Sequence, residues 1–201
     1  MTAKIVLVTG ACTPLGGEVA EALARQGAVV AAVDSDGRTL SAMVERLRAE
    51  GLRIAGRQID VTSSAAVDAL VDQLERELGP IDALVTVAAA IRPGPVLALS
   101  DADWAHSFAV NTDGVFNTSR AVAGRMVARR RGVIVTVAGH GATTRSAAYT
   151  ASRAAAIAYT ECLAQEVAPR GVHCAAVAPT DPTRVAQEVL FLLTTPTRAS
   201  A

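Results

Sequence analysis

Tyr149 and Arg153 stand four residues apart in the stretch YTASR, a spacing that places two side chains on one face of a helix. A phenol beside a fixed positive charge is a proton-transfer pair, because the cation favours phenolate over phenol. The competing reading of Tyr149 is a helix-start tyrosine kept for packing. A second candidate lies near the amino terminus, where TGACTPLGG (residues 9–17) joins a β-type run to a helical one. A helix beginning in such a loop turns free amides toward an anion, so the loop suits a pyrophosphate. Asp34 closes the next β-type run and Asp60-Val61 the one after it. A carboxylate at the first of these positions accepts hydrogen bonds from an adenosine ribose and repels a 2′-phosphate. Ordinary strand-end acids are the alternative for both.

These residues must be held by the elements around them, and the pattern of those elements is regular. Apolar β-branched runs at 4–10, 28–34, 53–61, 81–89, 132–139 and 171–179 alternate with helical periodicity at 15–27, 38–51, 63–79, 100–130 and 147–168. Continuous apolar strands separated by helices predict a parallel sheet covered on both faces, an α/β doubly wound domain of about six strands. Ligands of such sheets bind beyond the carboxyl ends of the strands, where the order reverses. All 201 residues read as one domain.

Half the chain (51%) is hydrophobic and only 3% aromatic, so the core is built from Ala, Val, Leu and Ile. Nineteen basic residues balance nineteen acidic ones, which argues against a nucleic-acid or membrane-surface partner. The densest basic run, RMVARRRG (125–132), reads as a solvated helix end. No apolar run reaches the roughly 18 residues of a membrane span, and the amino terminus lacks a cleavage-type signal. Cys12, Cys162 and Cys174 are odd in number and scattered, so no metal site is expected and a reducing cytoplasm is the expected location.

Taken in order, these segments resemble the short-chain dehydrogenase/reductase family over nearly the whole chain. TGACTPLGG is similar to its Thr-Gly-x-x-x-Gly-x-Gly loop, DV at 60–61 to its adenine-site pair and IDALVTVAA to the strand that ends in Asn-Asn-Ala-Gly. FAVNTDGVFNTSRA (108–121) resembles the helix with the family's catalytic asparagine, YTASR its Tyr-x-x-x-Lys motif and VAPTDPTR (177–184) its Pro-Gly strand end. The resemblance implies a Rossmann-type fold and a dinucleotide, NAD by virtue of Asp34. It assigns Thr9, Gly10, Cys12, Leu15, Gly16, Asp34, Asp60, Val61 and Ala88 to the cofactor, and Tyr149, Arg153 and Asn111 to catalysis on a small carbonyl or alcohol substrate.

The departures from the pattern shape the functional expectation. Pro14 replaces a loop glycine and has no N–H for a phosphate, so weakened NAD binding is expected. Thr86-Val87-Ala88-Ala89 replaces Asn-Asn-Ala-Gly, Thr180 follows Pro179 in place of glycine, and Gly139 stands where the family has its catalytic serine. His140, Thr143, Thr144 and Ser146 are the candidate stand-ins, with a solvent-facing loop residue the alternative for His140. Arg153 keeps the family's charge in a different shape. The chain also runs straight from DPTR to VAQEVLFLL (185–193), which resembles the family's following helix, without the family's substrate lid, and ends before its last strand. The expectation is therefore a catalytically impaired protein acting as a binding, regulatory or partner subunit. The alternatives are an active NAD-dependent reductase using Tyr149, Arg153 and Asn111, and a non-redox lyase or isomerase. A homodimer through helices 100–130 and 147–168, or a heteromer with a paralogue, is expected, with the edge of the sixth strand covered by the last helix or a partner.

Overall fold

The apolar runs become strands β1 (Ile5–Thr9), β2 (Val29–Asp34), β3 (Ile54–Gln58), β4 (Ala83–Thr86), β5 (Gly132–Val137) and β6 (Val172–Val177) in a computed structural model that describes residues 3–138, 144–177 and 182–194. Between and after them lie α1 (Pro14–Arg25), α2 (Gly37–Ala49), α3 (Ser64–Glu77), α4 (Asp101–Phe108), α5 (Gly114–Arg129), α6 (Ala147–Val167) and α7 (Pro182–Thr194). The strands pair in parallel in the order β3-β2-β1-β4-β5-β6. This is the doubly wound Rossmann-type sheet, with its reversal between β1 and β4. Thr9 pairs with Thr86 and Thr86 with Thr136, so the carboxyl ends of β1, β4 and β5 finish level and open onto the same side.

Helix starts follow side-chain chemistry. Thr13, Asp36, Ser63 and Ser100 each accept a hydrogen bond from an amide of the first turn of α1, α2, α3 and α4, satisfying donors that otherwise lack a partner. One layer of the core joins Val6, Val8, Val30 and Val85 to Leu23 of α1, Leu47 of α2 and Val189 of α7. The other joins Leu7, Leu84 and Ile134 to Leu74 of α3 and Met126 of α5. Side chains of this kind contribute about 1.5–3 kcal/mol each when fully buried. No helix among the described residues is long and apolar enough to cross a membrane.

Three expectations are revised. The helix expected over 100–130 is α4 and α5 joined by a π-helical turn at Ala109–Asp113, a distortion that tends to mark functional sites. The basic run is not merely solvated: Arg125 pairs with Asp72 and Glu75, Arg129 with Glu75, and Arg131 with Asp82, tying α5 and the segment after it to α3 and to the residue before β4. The last helix starts at Pro182 rather than 185, in keeping with proline at a helix start. Its apolar residues Val185, Ala186 and Val189 pack into the α1 layer, over β4 and β5. β6 is an edge strand of the sheet.

Candidate active site

The β1–α1 loop is set by two close approaches. Gly10 has φ 71°, and a Cβ there would lie 2.4 Å from the Ala88 nitrogen, so the loop presses directly against the end of β4. A Cβ at Gly16 would lie 2.0 Å from the Gly10 carbonyl oxygen. Thr13, overlooked in the sequence, holds the turn: its hydroxyl donates to the Gly10 carbonyl at 2.8 Å and accepts from the Gly16 amide at 3.0 Å. A threonine immediately before the helix-starting proline was the available signal. Pro14 occupies the first helical turn, where its missing N–H breaks no helix bond, and the first N–H of α1 belongs to Leu15.

Asp34 is tied in from both sides. One carboxylate oxygen accepts from the Cys12 amide at 2.9 Å and the other from the Asp36 amide at 3.0 Å. The Cys12 thiol donates to the Asp36 carbonyl at 3.4 Å. Burial, followed by the charges of Asp34 and Asp36, pushes that thiol up to about 12. Asp60 accepts from the Thr62 amide at 2.9 Å, and Asn117 of α5 donates to the Val61 carbonyl at 3.0 Å, fixing the turn after β3. Gly10, Thr13, Asp34, Ser35, Ile59, Asp60, Val61, Ala88, Ala89 and Val110 line one recess at the carboxyl ends of the strands. Five of the nine residues assigned to a dinucleotide thus share that recess. Thr9 is buried at the end of β1, Cys12 belongs to the adjoining loop, and Leu15 and Gly16 belong to the first turn of α1.

At the other end of the same wall the chemistry-bearing residues are locked together. Asn111, inside the π-turn and fully buried, accepts from the Ala90 amide at 2.6 Å and donates to the Ala90 carbonyl at 3.0 Å. It also donates to the hydroxyl of Ser152 at 2.9 Å, and that hydroxyl donates to the Tyr149 carbonyl at 3.0 Å. Thr112 donates to the Ser152 carbonyl at 2.9 Å. The π-turn therefore grips the first turn of α6, where Tyr149 sits half-buried. Ser152 and Thr112 went unremarked in the sequence because a polar residue on a helix gives no sign of being buried.

Arg153 is 3% exposed and its guanidinium donates one long bond, 3.4 Å, to the Ala88 carbonyl. Its Nε lacks a partner among the described residues. Burial lowers its tendency to hold the proton, and Tyr149 beside it acts in the opposite sense. The two residues of the YTASR motif are thus electrostatic neighbours. Of the proposed stand-ins for the serine, Thr144 is exposed and Ser146 lies 3.1 Å from the Thr150 hydroxyl. Gly139, His140, Thr143, Pro179 and Thr180 lie outside the described residues. No group of three or more metal-ligating side chains forms among the described residues.

Comparison with known proteins bears on whether this machinery is spent. A 2,3-dihydro-2,3-dihydroxybenzoate dehydrogenase of Bacillus subtilis (strain 168) is 46% identical over 179 residues, which cover 88% of this chain and 69% of that protein. A short chain dehydrogenase from Mycobacterium smegmatis superposes with a TM-score of 0.88 at 32% identity, over 96% of this chain and 86% of the other. An actinorhodin polyketide ketoreductase solved with NADPH superposes at 0.90 with 26% identity, over 99% and 93%. These are dehydrogenases and a reductase, and they overturn the expectation of a catalytically impaired partner subunit. The motif departures were over-read: Asn111 still bonds to Ser152 and Ser152 to the Tyr149 carbonyl, with Arg153 buried on the same helix. A family model described as short chain dehydrogenase matches residues 4–189, and the chain belongs to that family.

Proposed function

We propose that the protein is a nicotinamide-dependent oxidoreductase that interconverts a small alcohol and its carbonyl compound. The observation that carries this reading is the hydrogen-bonded series from Ala90 through Asn111 and Ser152 to Tyr149, with the Arg153 cation alongside. Tyr149 gives its phenolic proton to the carbonyl oxygen in reduction and takes the hydroxyl proton in oxidation. Arg153 supplies the positive charge that stabilises the phenolate left behind. Asn111 and Ser152 hold the tyrosine's helical turn against the β4 end, so that its reach is fixed. With glycine at 139, Tyr149 is also the hydrogen-bond donor to the substrate oxygen.

The recess at the strand ends, together with the start of α1, supports a dinucleotide site. Gly10, Leu15 and Gly16 would face its pyrophosphate, Asp34 its adenosine ribose, and Asp60 and Val61 its adenine. When bound, it supplies the hydride acceptor or donor. Asp34 supports NAD over NADP, by repulsion of a 2′-phosphate, although the polyketide ketoreductase was solved with NADPH. The name of the Bacillus relative makes 2,3-dihydro-2,3-dihydroxybenzoate the first substrate to offer. The balanced charge is in keeping with a cytoplasmic protein that engages neither nucleic acid nor membrane. Exposed Ala154 and Ala158 on α6, beside half-exposed Phe116 packed edge-on to Tyr159, support a homodimer through α5 and α6.

Turnover of that diol with NAD, lost in Tyr149→Phe, is the test of the activity. Undiminished turnover in the variant would refute the role of the tyrosine. Calorimetric titration should show NADH binding more tightly than NADPH, with the preference weakened in Asp34→Ser, and the opposite order would refute the cofactor assignment. A monomer in solution, or a dimer that survives Ala154→Glu with Ala158→Glu, would refute the assembly.

A further inference from the structure

Two segments flank the Tyr149 end of the site. One runs from Ala88 to Leu99, the other from Thr144 to Arg153, and the Gly94 amide donates to the Arg145 carbonyl at 2.9 Å to join them. Together they carry three arginines, Arg92, Arg145 and Arg153, and no acidic residue. Arg145 has φ 68°, a left-handed conformation that glycine adopts freely and arginine under strain. The other non-glycine residue of this kind among the described residues, Arg130, ends helix α5 and its guanidinium reaches the Pro169 carbonyl at 3.5 Å. Arg145 is exposed, and its guanidinium has no partner among the described residues. Across the joining bond, Arg92 makes one loose ion pair, 3.7 Å from Asp103, with both side chains 46% exposed, a geometry that holds little energy. Exposed Ile91, Val96 and Leu97 lie on the same segment as Arg92.

We infer that Arg145, assisted by Arg92, is the specificity-determining cation that receives a carboxylate of the substrate beside Tyr149, while the apolar residues meet its hydrocarbon frame. The inference rests on the oxidoreductase reading and deepens it. A guanidinium matches a carboxylate with two parallel donors. A wall whose positive charge exceeds its negative charge raises the local concentration of an anionic ligand and depletes a cationic one. The strained backbone at 145 is then retained because a glycine there, though easier to fold, would bring no cation.

The discriminating variant is Arg145→Gly, which suits the backbone angle and so keeps the fold. In the turnover arm, wild type and variant are offered 2,3-dihydro-2,3-dihydroxybenzoate and the same cyclohexadiene diol without its carboxylate, with NAD as acceptor. The ratio of kcat/KM for acid over neutral diol should fall by about 10- to 100-fold in the variant, as for loss of a charge-assisted hydrogen bond. The change should appear mainly in KM, with partial recovery in Arg145→Lys and no loss of melting temperature in Arg145→Gly. In the binding arm, 2,3-dihydroxybenzoate and catechol are titrated into the protein with NADH. The acid should bind more tightly to the wild type alone. Absence of turnover with either diol would count against the oxidoreductase reading, and the binding arm would still decide the role of Arg145. Equal handling of acid and neutral compound by the wild type, or an unchanged preference in Arg145→Gly, would overturn the inference.

Discussion

Replacing Asn111 by aspartate changes one nitrogen to oxygen and tests the buried scaffold directly. The asparagine accepts from the Ala90 amide, and donates to the Ala90 carbonyl and the Ser152 hydroxyl at 3.0 and 2.9 Å. A carboxylate keeps the accepted bond and turns its second oxygen toward two oxygens. At zero exposure the charged form has no solvent and replaces two donated hydrogen bonds by oxygen–oxygen contacts, so the introduced carboxyl should titrate well above its ordinary value of about 3.9. An upward shift of about 3 units corresponds to about 4 kcal/mol. A raised folded-state pKa gives stability that is present below the unfolded value and lost as pH rises toward the folded one. Asn111→Asp should therefore lose about 1.5 kcal/mol relative to wild type at pH 5 and about 4 at pH 8. In a domain of this size, about 4 kcal/mol is a melting shift of roughly 8–16 °C. Urea denaturation of wild type, Asn111→Asp and Asn111→Ala at both pH values is the assay, the alanine variant supplying a loss that does not depend on pH. Equal stability of the aspartate variant and wild type at pH 8, or a penalty that shrinks as pH rises, would refute the buried network.

Arg153→Met should separate stability from activity. Removing a buried guanidinium without an anionic partner should raise stability against urea by about 1–3 kcal/mol, while turnover falls by about 10²-fold or more; a less stable variant would contradict the cost assigned to the buried charge. Ser152→Ala should lower kcat more than KM and reduce stability by about 1–3 kcal/mol through the unsatisfied Asn111 donor, as read by paired kinetics and denaturation, and an unchanged kcat would remove its positioning role. Cys162, which is exposed, should be alkylated by iodoacetamide at pH 8 ahead of Cys12 and Cys174, whose thiols are pushed up to about 12, first of all by burial. Because the thiols of the unfolded chain ionise near 9.0 and these two do not, stability should hold below pH 9 and decline from there toward 12.

The sheet, its parallel pairing and the sites at its strand ends were legible because burial on both faces requires continuous apolar strands, and such runs are visible as composition. The place of Asp34 was legible for a related reason, since an acid closing an apolar run has to sit at a strand end, whereas Asp60 lies in the turn two residues past the end of β3. The π-turn at Ala109–Asp113 was not, because it arises from the fit of Asn111 against Ala90 and Ser152, partners 21 and 41 residues away. Thr112, Asn117 and Ser152 were hidden in the same way: helical periodicity separates apolar from polar residues, and these are polar residues turned inward. Activity was misread for a different reason. Each altered motif position was counted as an independent loss, whereas Arg153 still places a cation beside Tyr149 and Pro14 fits the first helical turn.

The contact between Gly10 and the end of β4 has a thermodynamic meaning. The loop assigned to the dinucleotide touches the backbone of Ala88, whose carbonyl holds Arg153, and Ala90 two residues on is held by Asn111. A ligand that orders one end of this wall lowers the entropy cost of ordering the other. Such a coupling is reciprocal: the factor by which dinucleotide tightens substrate binding is the factor by which substrate tightens dinucleotide binding. Substitutions at Gly10 should therefore change that shared factor as well as the dissociation constant of the cofactor.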